Sequence, residues 1–98
     1  MRAYWIAHVR VLDADAYRGY TDLAPDAFRK YGARFLARGG DSVQLEGDGL
    51  DRHVVIEFAD MATALACYRS PEYQRAKAER DGVCIAQITI VEGLPEAI

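Results

Sequence analysis

Four segments of this sequence alternate between two kinds of side chain with a period of two residues, which is the period of a β-strand. One phase is almost purely apolar, and the other mixes apolar residues with charges and histidines. The apolar phase comprises Ala7, Val9, Val11, Phe35, Ala37, Val54, Ile56, Phe58, Ile88 and Ile90. The mixed phase comprises Tyr4, Ile6, His8, Arg10, Arg34, Leu36, Arg38, His53, Val55, Glu57, Gln87, Thr89 and Val91. A sheet of these strands therefore needs a cover on each face.

Helix signals lie between the strands. Asp13 or Asp15 can cap a first helix, whose aromatic and alanine residues recur every three or four positions up to Gly32. Pro25 lies inside this segment, and because proline removes a backbone donor we expect a kink or two short helices there. Asp60 can cap a second helix, which ends at Ser70. Ser70 can in turn cap the helix that follows it. Ser70 is therefore interpreted as a cap and not as a nucleophile.

The segment between the second and third strands is rich in glycine. Gly39 and Gly40 permit a bend or bulge, and Gly47-Asp48-Gly49 is typical of a tight turn. We expect a short strand extension, Ser42 to Glu46, between these two sites.

The resulting order is β-α-β-β-α-β, which is the ferredoxin-like arrangement of the α+β class. It predicts a four-stranded antiparallel sheet with the helices on one face, in a single domain over residues 1–98. The opposite face would expose apolar side chains, which is abnormal on a monomer. We therefore expect a homodimer formed through this sheet face, with an identical subunit as the partner.

Composition narrows the choice of partners and of cell compartment. The net charge of −3 disfavours nucleic acid, since binding a phosphate backbone needs clustered Lys and Arg. No apolar stretch reaches the length of a membrane helix, and no signal peptide is recognisable, so we expect no membrane contact and a cytoplasmic location. The two cysteines lack the spacing of a zinc site, and reduced thiols are expected.

Six short motifs carry a resemblance to a known family. They are Tyr4-Trp5-Ile6, Lys30-Tyr31-Gly32 with Arg38-Gly39-Gly40, Glu46-Gly47, Val55-Ile56-Glu57-Phe58, and Tyr68-Arg69-Ser70-Pro71-Glu72-Tyr73. Together they resemble the domain-of-unknown-function 1330 family over nearly the whole chain. The resemblance implies the dimeric α/β barrel, in which two ferredoxin-like subunits pack sheet against sheet. That group includes cofactor-free monooxygenases, haem-degrading enzymes, isomerases and proteins without known activity, so it assigns no reaction.

Two residues of the mixed phase are candidates for proton transfer. An antiparallel register can place His8 beside His53, and this pair could relay protons or bind a metal, although a hydrogen-bonded structural pair is the more ordinary outcome. Glu57 has apolar neighbours that could raise its pKa for general-base catalysis. The alternative for Glu57 is an ion pair with Arg10, Arg34 or Arg38, which we favour.

Arg38 and Tyr68 are the candidates for substrate binding. Arg38, beside Gly39 and Gly40, could hold an anion, or it could face a partner carboxylate in a bulged hairpin. Tyr68 belongs to a tyrosine-rich set that could line a pocket for a small organic ligand or simply fill the core. We expect Tyr68 on the helix side and Arg38 on the dimer side.

Two functions remain open from the sequence. The first is acid/base or cofactor-independent oxygenase or isomerase chemistry in a small-molecule pocket, with no cofactor and no metal. The alternative is a non-catalytic stress or regulatory module, whose polar sheet face only specifies the dimer and which has no ligand-sized cavity.

Overall fold

The computed structural model describes residues 1–95 and contains four strands and three helices. The elements are β1 (Ala3–Val11), α1 (Ala14–Lys30), β2 (Arg34–Arg38), β3 (Arg52–Phe58), α2 (Met61–Arg69), α3 (Pro71–Glu79) and β4 (Cys84–Glu92). None of these helices combines the length and the hydropathy needed to cross a bilayer.

The strands form one antiparallel sheet in the order β2-β3-β1-β4. β1 and β3 are the central neighbours, as the ferredoxin-like order predicts. The registers place Trp5 opposite Ile56 and Ile90, and Ala7 opposite Val54 and Ile88. These side chains form the helix-covered face, where Trp5 and Ile56 are both buried. The predicted fold class is confirmed.

The other face of the sheet has no helical cover within residues 1–95, and we call it the open face. Tyr4, Ile6, His8 and Arg10 of β1 lie on it, because they alternate with the buried residues of the same strand. Val91 and Ile85 are each 46% exposed on this side. Apolar side chains in this number are unusual on a surface that faces water.

Helix α1 runs through Pro25 without interruption, from its N-cap Asp13 to Lys30. Of the two outcomes expected at Pro25, a kink or two short helices, the second is therefore wrong. Tyr17 and Ala24 before the proline, and Ala27 and Phe28 after it, are all buried. Burial of one continuous apolar face outweighs the backbone hydrogen bond that Pro25 cannot make. Gly32, at a φ of 68°, ends the segment as predicted.

The connection from β2 to β3 contains no strand, so the predicted extension Ser42 to Glu46 is also wrong. None of the strands in residues 1–95 pairs with this segment, and a strand without a hydrogen-bonded neighbour is not stable. Its apolar side chains Val43 and Leu45 are 80% and 87% exposed. The connection projects from the domain as an arm of alternating apolar and polar residues.

Ser70 joins the last two helices. Its hydroxyl accepts a hydrogen bond from the backbone N–H of Tyr73 at 3.1 Å and donates one to the carbonyl of Cys67 at 2.7 Å. The predicted cap is confirmed, with Ser70 ending α2 and beginning α3.

Burial raises the pKa of the Cys67 thiol to about 12, which keeps it protonated as a packing group.

Candidate functional site

A cavity of about 360 Å³ lies between α1 and the helix-covered face of the sheet. We call it the α1 cavity. Helix α1 makes its main close backbone contacts with α3 rather than with the sheet, which leaves this space beneath it. The volume falls within the range of small-molecule sites, about 300–1,000 Å³.

The walls of the α1 cavity are mostly apolar. Trp5, Ala7, Val9, Val54, Ile56, Ala86 and Ile88 form its floor on the sheet, and Phe28, Ala24 and Pro25 belong to its roof on α1. Phe35 of β2 closes one side and packs edge-on against Phe28 at 5.4 Å between ring centroids. The polar groups at the cavity are Tyr17, Tyr20 and Thr21 of α1 together with Arg38, Arg52 and Arg80.

Arg38 reaches this cavity because of an irregularity in β2. Phe35 pairs with Ile56, but Ala37 pairs with Val55, so the strand contains a β-bulge at Leu36. Beyond the bulge the alternation is inverted, and Arg38 pairs with Val54, which lines the cavity. Its guanidinium lies over the Phe35 ring at 4.5 Å. The placement of Arg38 on the dimer side is therefore wrong, as is that of Ala37 on the helix side.

Arg52, the first residue of β3, lies on the same side as Arg38. Its guanidinium rests against Gly39, where an added Cβ would meet Nη1 at 2.1 Å. Gly39 also has a φ of 70°, a conformation that favours glycine. Among residues 1–95, the buried Nε of Arg52 has no hydrogen-bond partner. A buried donor without an acceptor is uncommon in folded proteins.

The third arginine belongs to a group of phenols. Arg80 lies over the Tyr20 ring at 5.3 Å and donates from Nη2 to the Tyr73 hydroxyl at 3.4 Å. The Tyr20 and Tyr73 hydroxyls are 2.9 Å apart. Burial raises the pKa of both phenols, and it also raises the pKa of Tyr17, where the nearby Arg52 acts in the opposite direction. These hydroxyls therefore stay protonated at neutral pH and can donate hydrogen bonds.

The buried phenols predict a loss of stability in alkali. Unfolded tyrosines ionise near pH 10, whereas Tyr20 and Tyr73 keep their protons in the folded protein. The unfolded state then binds fewer protons, so the free energy of unfolding falls by up to about 1.4 kcal/mol per pH unit for each such phenol. Tyr20→Phe is expected to make the fall above pH 10 less steep. Urea unfolding between pH 7 and pH 11 measures this slope, and equal slopes in both proteins would contradict the assignment.

His8 and His53 face each other across the central strands, as predicted. Their Nδ1 atoms are 2.8 Å apart, so one ring donates a hydrogen bond and the other accepts it. The pair lies on the open face, on the opposite side of the sheet from the α1 cavity. In residues 1–95, no three His, Cys, Asp or Glu side chains form a group that could hold a metal ion.

Glu57 also lies on the open face and is ion-paired. Its carboxylate accepts from Arg2 at 3.5 Å and from the Tyr4 hydroxyl at 3.4 Å. The ion pair is the alternative favoured from the sequence, but within the chain its partner is Arg2 rather than Arg10, Arg34 or Arg38. The sequence pattern gave no indication of Arg2, which precedes the first strand.

Tyr68 lies on the helix side, as expected, but it packs in the core beside the cavity. Its ring is 5.6 Å from Trp5 and 5.4 Å from Tyr73. The structure therefore brings Arg38 to the cavity and leaves Tyr68, His8 and Glu57 out of its lining. Arg52 and Arg80 were missed. An arginine in the apolar phase of β3, two residues before Val54, was the signal for Arg52.

Sequence comparison assigns the chain to a family. Residues 2–94 match the family described as "Domain of unknown function (DUF1330)". The chain belongs to the DUF1330 family. No curated protein matches the sequence.

Solved structures share the fold of this DUF1330 protein at low sequence identity. The RPA0582 protein of unknown function from Rhodopseudomonas palustris is 18% identical, with a TM-score of 0.78, over 96% of this chain and 83% of that one. A dimeric ferredoxin-like protein of unknown function from Jannaschia sp. CCS1 is 12% identical, with a TM-score of 0.73, over 95% and 100%. SnoaB, a cofactor-independent oxygenase from Streptomyces nogalater, is 9% identical, with a TM-score of 0.64, over 96% and 94%.

Proposed function

We propose that this protein is a homodimer that binds a small organic molecule in the α1 cavity. The cavity itself carries the proposal. Protein interiors are normally packed to the density of organic crystals, and a space of about 360 Å³ beside the central strand leaves one side of the lining residues without contacts. An apolar ligand would supply those contacts. The non-catalytic module considered from the sequence requires no such space.

The dimer is proposed from the open face. Ile6 and Val55 are paired at its centre, and Leu36, Ile85 and Val91 are each 46% exposed. An identical sheet would cover these side chains and the hydrogen-bonded histidines around a two-fold axis. The protein from Jannaschia, which shares the fold, is described as dimeric. The apolar side chains of the arm, Val43 and Leu45, offer further surface to the second subunit.

Proton-transfer or oxygen chemistry on the bound molecule is a second candidate function. Tyr17 is a protonated phenol at the cavity with a guanidinium beside it, which suits a group that donates a hydrogen bond to a developing anion. The similarity in fold to a cofactor-independent oxygenase favours testing oxygen as the co-substrate. His8 and Glu57 remain predicted proton-transfer groups only for a site on the open face, since the sheet separates them from the cavity.

Binding and assembly can be tested on the intact protein. Light scattering should give twice the 10.9 kDa of one chain, and a monomer would contradict the dimer.

A panel of small aromatic acids, amides and phenols should raise the melting temperature and change the fluorescence of Trp5. Ala24→Phe, which fills the cavity from α1, should abolish these changes, whereas Ala62→Phe on the exposed side of α2 should not. No response to any member of the panel would contradict binding. Oxygen uptake with a bound phenol tests the second candidate.

A further inference from the structure

The α1 cavity combines positive charge with an apolar floor. Arg38, Arg52 and Arg80 line it, and no carboxylate does among the described residues. In residues 1–95 none of these three arginines forms an ion pair; of the other basic residues, Arg2, Arg10, Arg18, Arg29 and Lys30 form one, and Arg34, Arg69, Arg75 and Lys77 do not. The chain as a whole carries a net charge of −3, so carboxylates are not scarce. The cavity is thus a local positive site on an acidic protein.

A guanidinium group that burial partly removes from water is costly unless an acceptor or an anion replaces the lost hydration. Arg52 and Arg80 are half-buried, whereas Arg38 is exposed. The buried Nε of Arg52 has no hydrogen-bond partner in residues 1–95, so the described residues do not satisfy this guanidinium completely. A carboxylate offers two oxygens in the plane of the guanidinium fork and matches it with paired hydrogen bonds. We propose that the α1 cavity selects small aromatic carboxylates, with these arginines holding the carboxylate and the apolar floor holding the ring. This inference rests on the proposed function and names the substrate class of the same site.

The walls favour an organic anion over a free inorganic one. Trp5, Phe28 and Phe35 present aromatic rings to the cavity, and Ala7 and Ala24 leave room for a flat body between sheet and helix. Inorganic phosphate would satisfy the arginines but would leave this apolar surface without contacts. An aromatic carboxylate uses both parts of the cavity, since rings gain from edge and face contacts with other rings.

Two of the arginines are held in place before a ligand arrives. Stacking on Phe35 orients Arg38, and the contacts with Tyr20 and Tyr73 orient Arg80. Side chains fixed in this way lose less conformational entropy on binding. Lysine has neither the planar fork nor the ability to stack in this manner.

Phenylacetate and phenylacetamide form a matched pair of probes, nearly equal in size and different in charge. Calorimetric titration is expected to show phenylacetate binding about tenfold or more tightly than phenylacetamide, which is the effect of one hydrogen-bonded charge. Arg52→Gln should remove most of this preference, and Arg38→Gln should reduce it. Arg38 is exposed, so its replacement also tests the site if Arg52→Gln fails to fold. Arg29→Gln, an exposed arginine of α1, is the control and should leave both affinities unchanged.

Each alternative result has a distinct meaning. Equal binding of the acid and the amide would overturn the carboxylate inference and leave the proposed binding function standing. Inorganic phosphate binding as tightly as phenylacetate would overturn the aromatic part. A preference that survives in both Arg52→Gln and Arg38→Gln would overturn the assignment of these residues. No binding of either probe would overturn the inference, and the proposed function would fall with it only if every other member of the panel also failed to bind.

Discussion

Trp5→Ala is expected to lower the free energy of unfolding by about 3–5 kcal/mol, the usual effect of deleting a buried aromatic side chain. Trp5 is 1% exposed at the centre of β1. Its ring is 5.0 Å from those of Phe28 and Tyr73 and 6.0 Å from that of Phe58, so one substitution removes the common neighbour of a whole aromatic cluster. Domains of this kind have total stabilities of about 5–15 kcal/mol. The substitution would therefore remove a large part of the free energy of unfolding.

Urea unfolding followed by circular dichroism measures this loss, because the variant no longer contains a tryptophan for fluorescence. Trp5→Phe is the matched control, since it keeps a ring in the cluster and should lose clearly less. A loss below about 1 kcal/mol in Trp5→Ala would contradict the central packing role of this residue.

Ile6→Lys is expected to dissociate the proposed dimer. Ile6 lies on the open face of β1, between Val55 of β3 and Thr89 of β4. Packing a second sheet over a lysine there would desolvate an ammonium group, so the dissociation constant should rise by about 100-fold or more. Sedimentation at several concentrations measures the change.

Leu23→Lys is the control for this substitution. Leu23 has the same size as Ile6 and is 38% exposed, but it lies on α1, on the other side of the domain. Leu23→Lys should leave the mass of the dimer, measured by sedimentation, unchanged. If Ile6→Lys sediments like the wild type while its circular dichroism is preserved, the open face is not the dimer interface.

Some features of the candidate site followed from local patterns. The alternation in β1 and β3 placed His8 beside His53 and put Glu57 on the open face, and both placements are confirmed. They succeeded because the two central strands pair without irregularity, so that a period of two is maintained along their whole length.

Arg38 is a residue for which the alternation pattern predicted the wrong face of the sheet. A single bulge at Leu36 moves every later residue of β2 to the opposite face, which converts a supposed dimer contact into a cavity wall. The sequence suggested a bulge at the glycines that follow, Gly39 and Gly40, but did not place it two residues earlier. The position of a bulge depends on how both strands pack, and this information is not local.

Pro25 and the arm also show that local propensity does not decide the structure. In α1 a helix forms against the local preference, and in the arm a strand does not form despite it. Proline is unfavourable inside a helix, yet the burial of Ala24, Ala27 and Phe28 keeps α1 continuous. Val43 and Leu45 have the alternation of a strand, yet no neighbouring strand of the same chain pairs with them. In both cases contacts between distant parts of the chain, or their absence, decide the outcome.

The amino-acid sequence alone determined the order of strands and helices, the two-faced sheet and the caps at Asp60 and Ser70, because periodicity and capping act over a few neighbouring residues. For the cap of α1 it left a choice between Asp13 and Asp15, and the structure has Asp13. The tertiary structure alone decided that α1 stands off from the sheet over a cavity, and that arginines from β2, β3 and the end of α3 meet there. Those residues are far apart in the chain, and only the packing of α1 on α3 and the bulge in β2 bring them to one place.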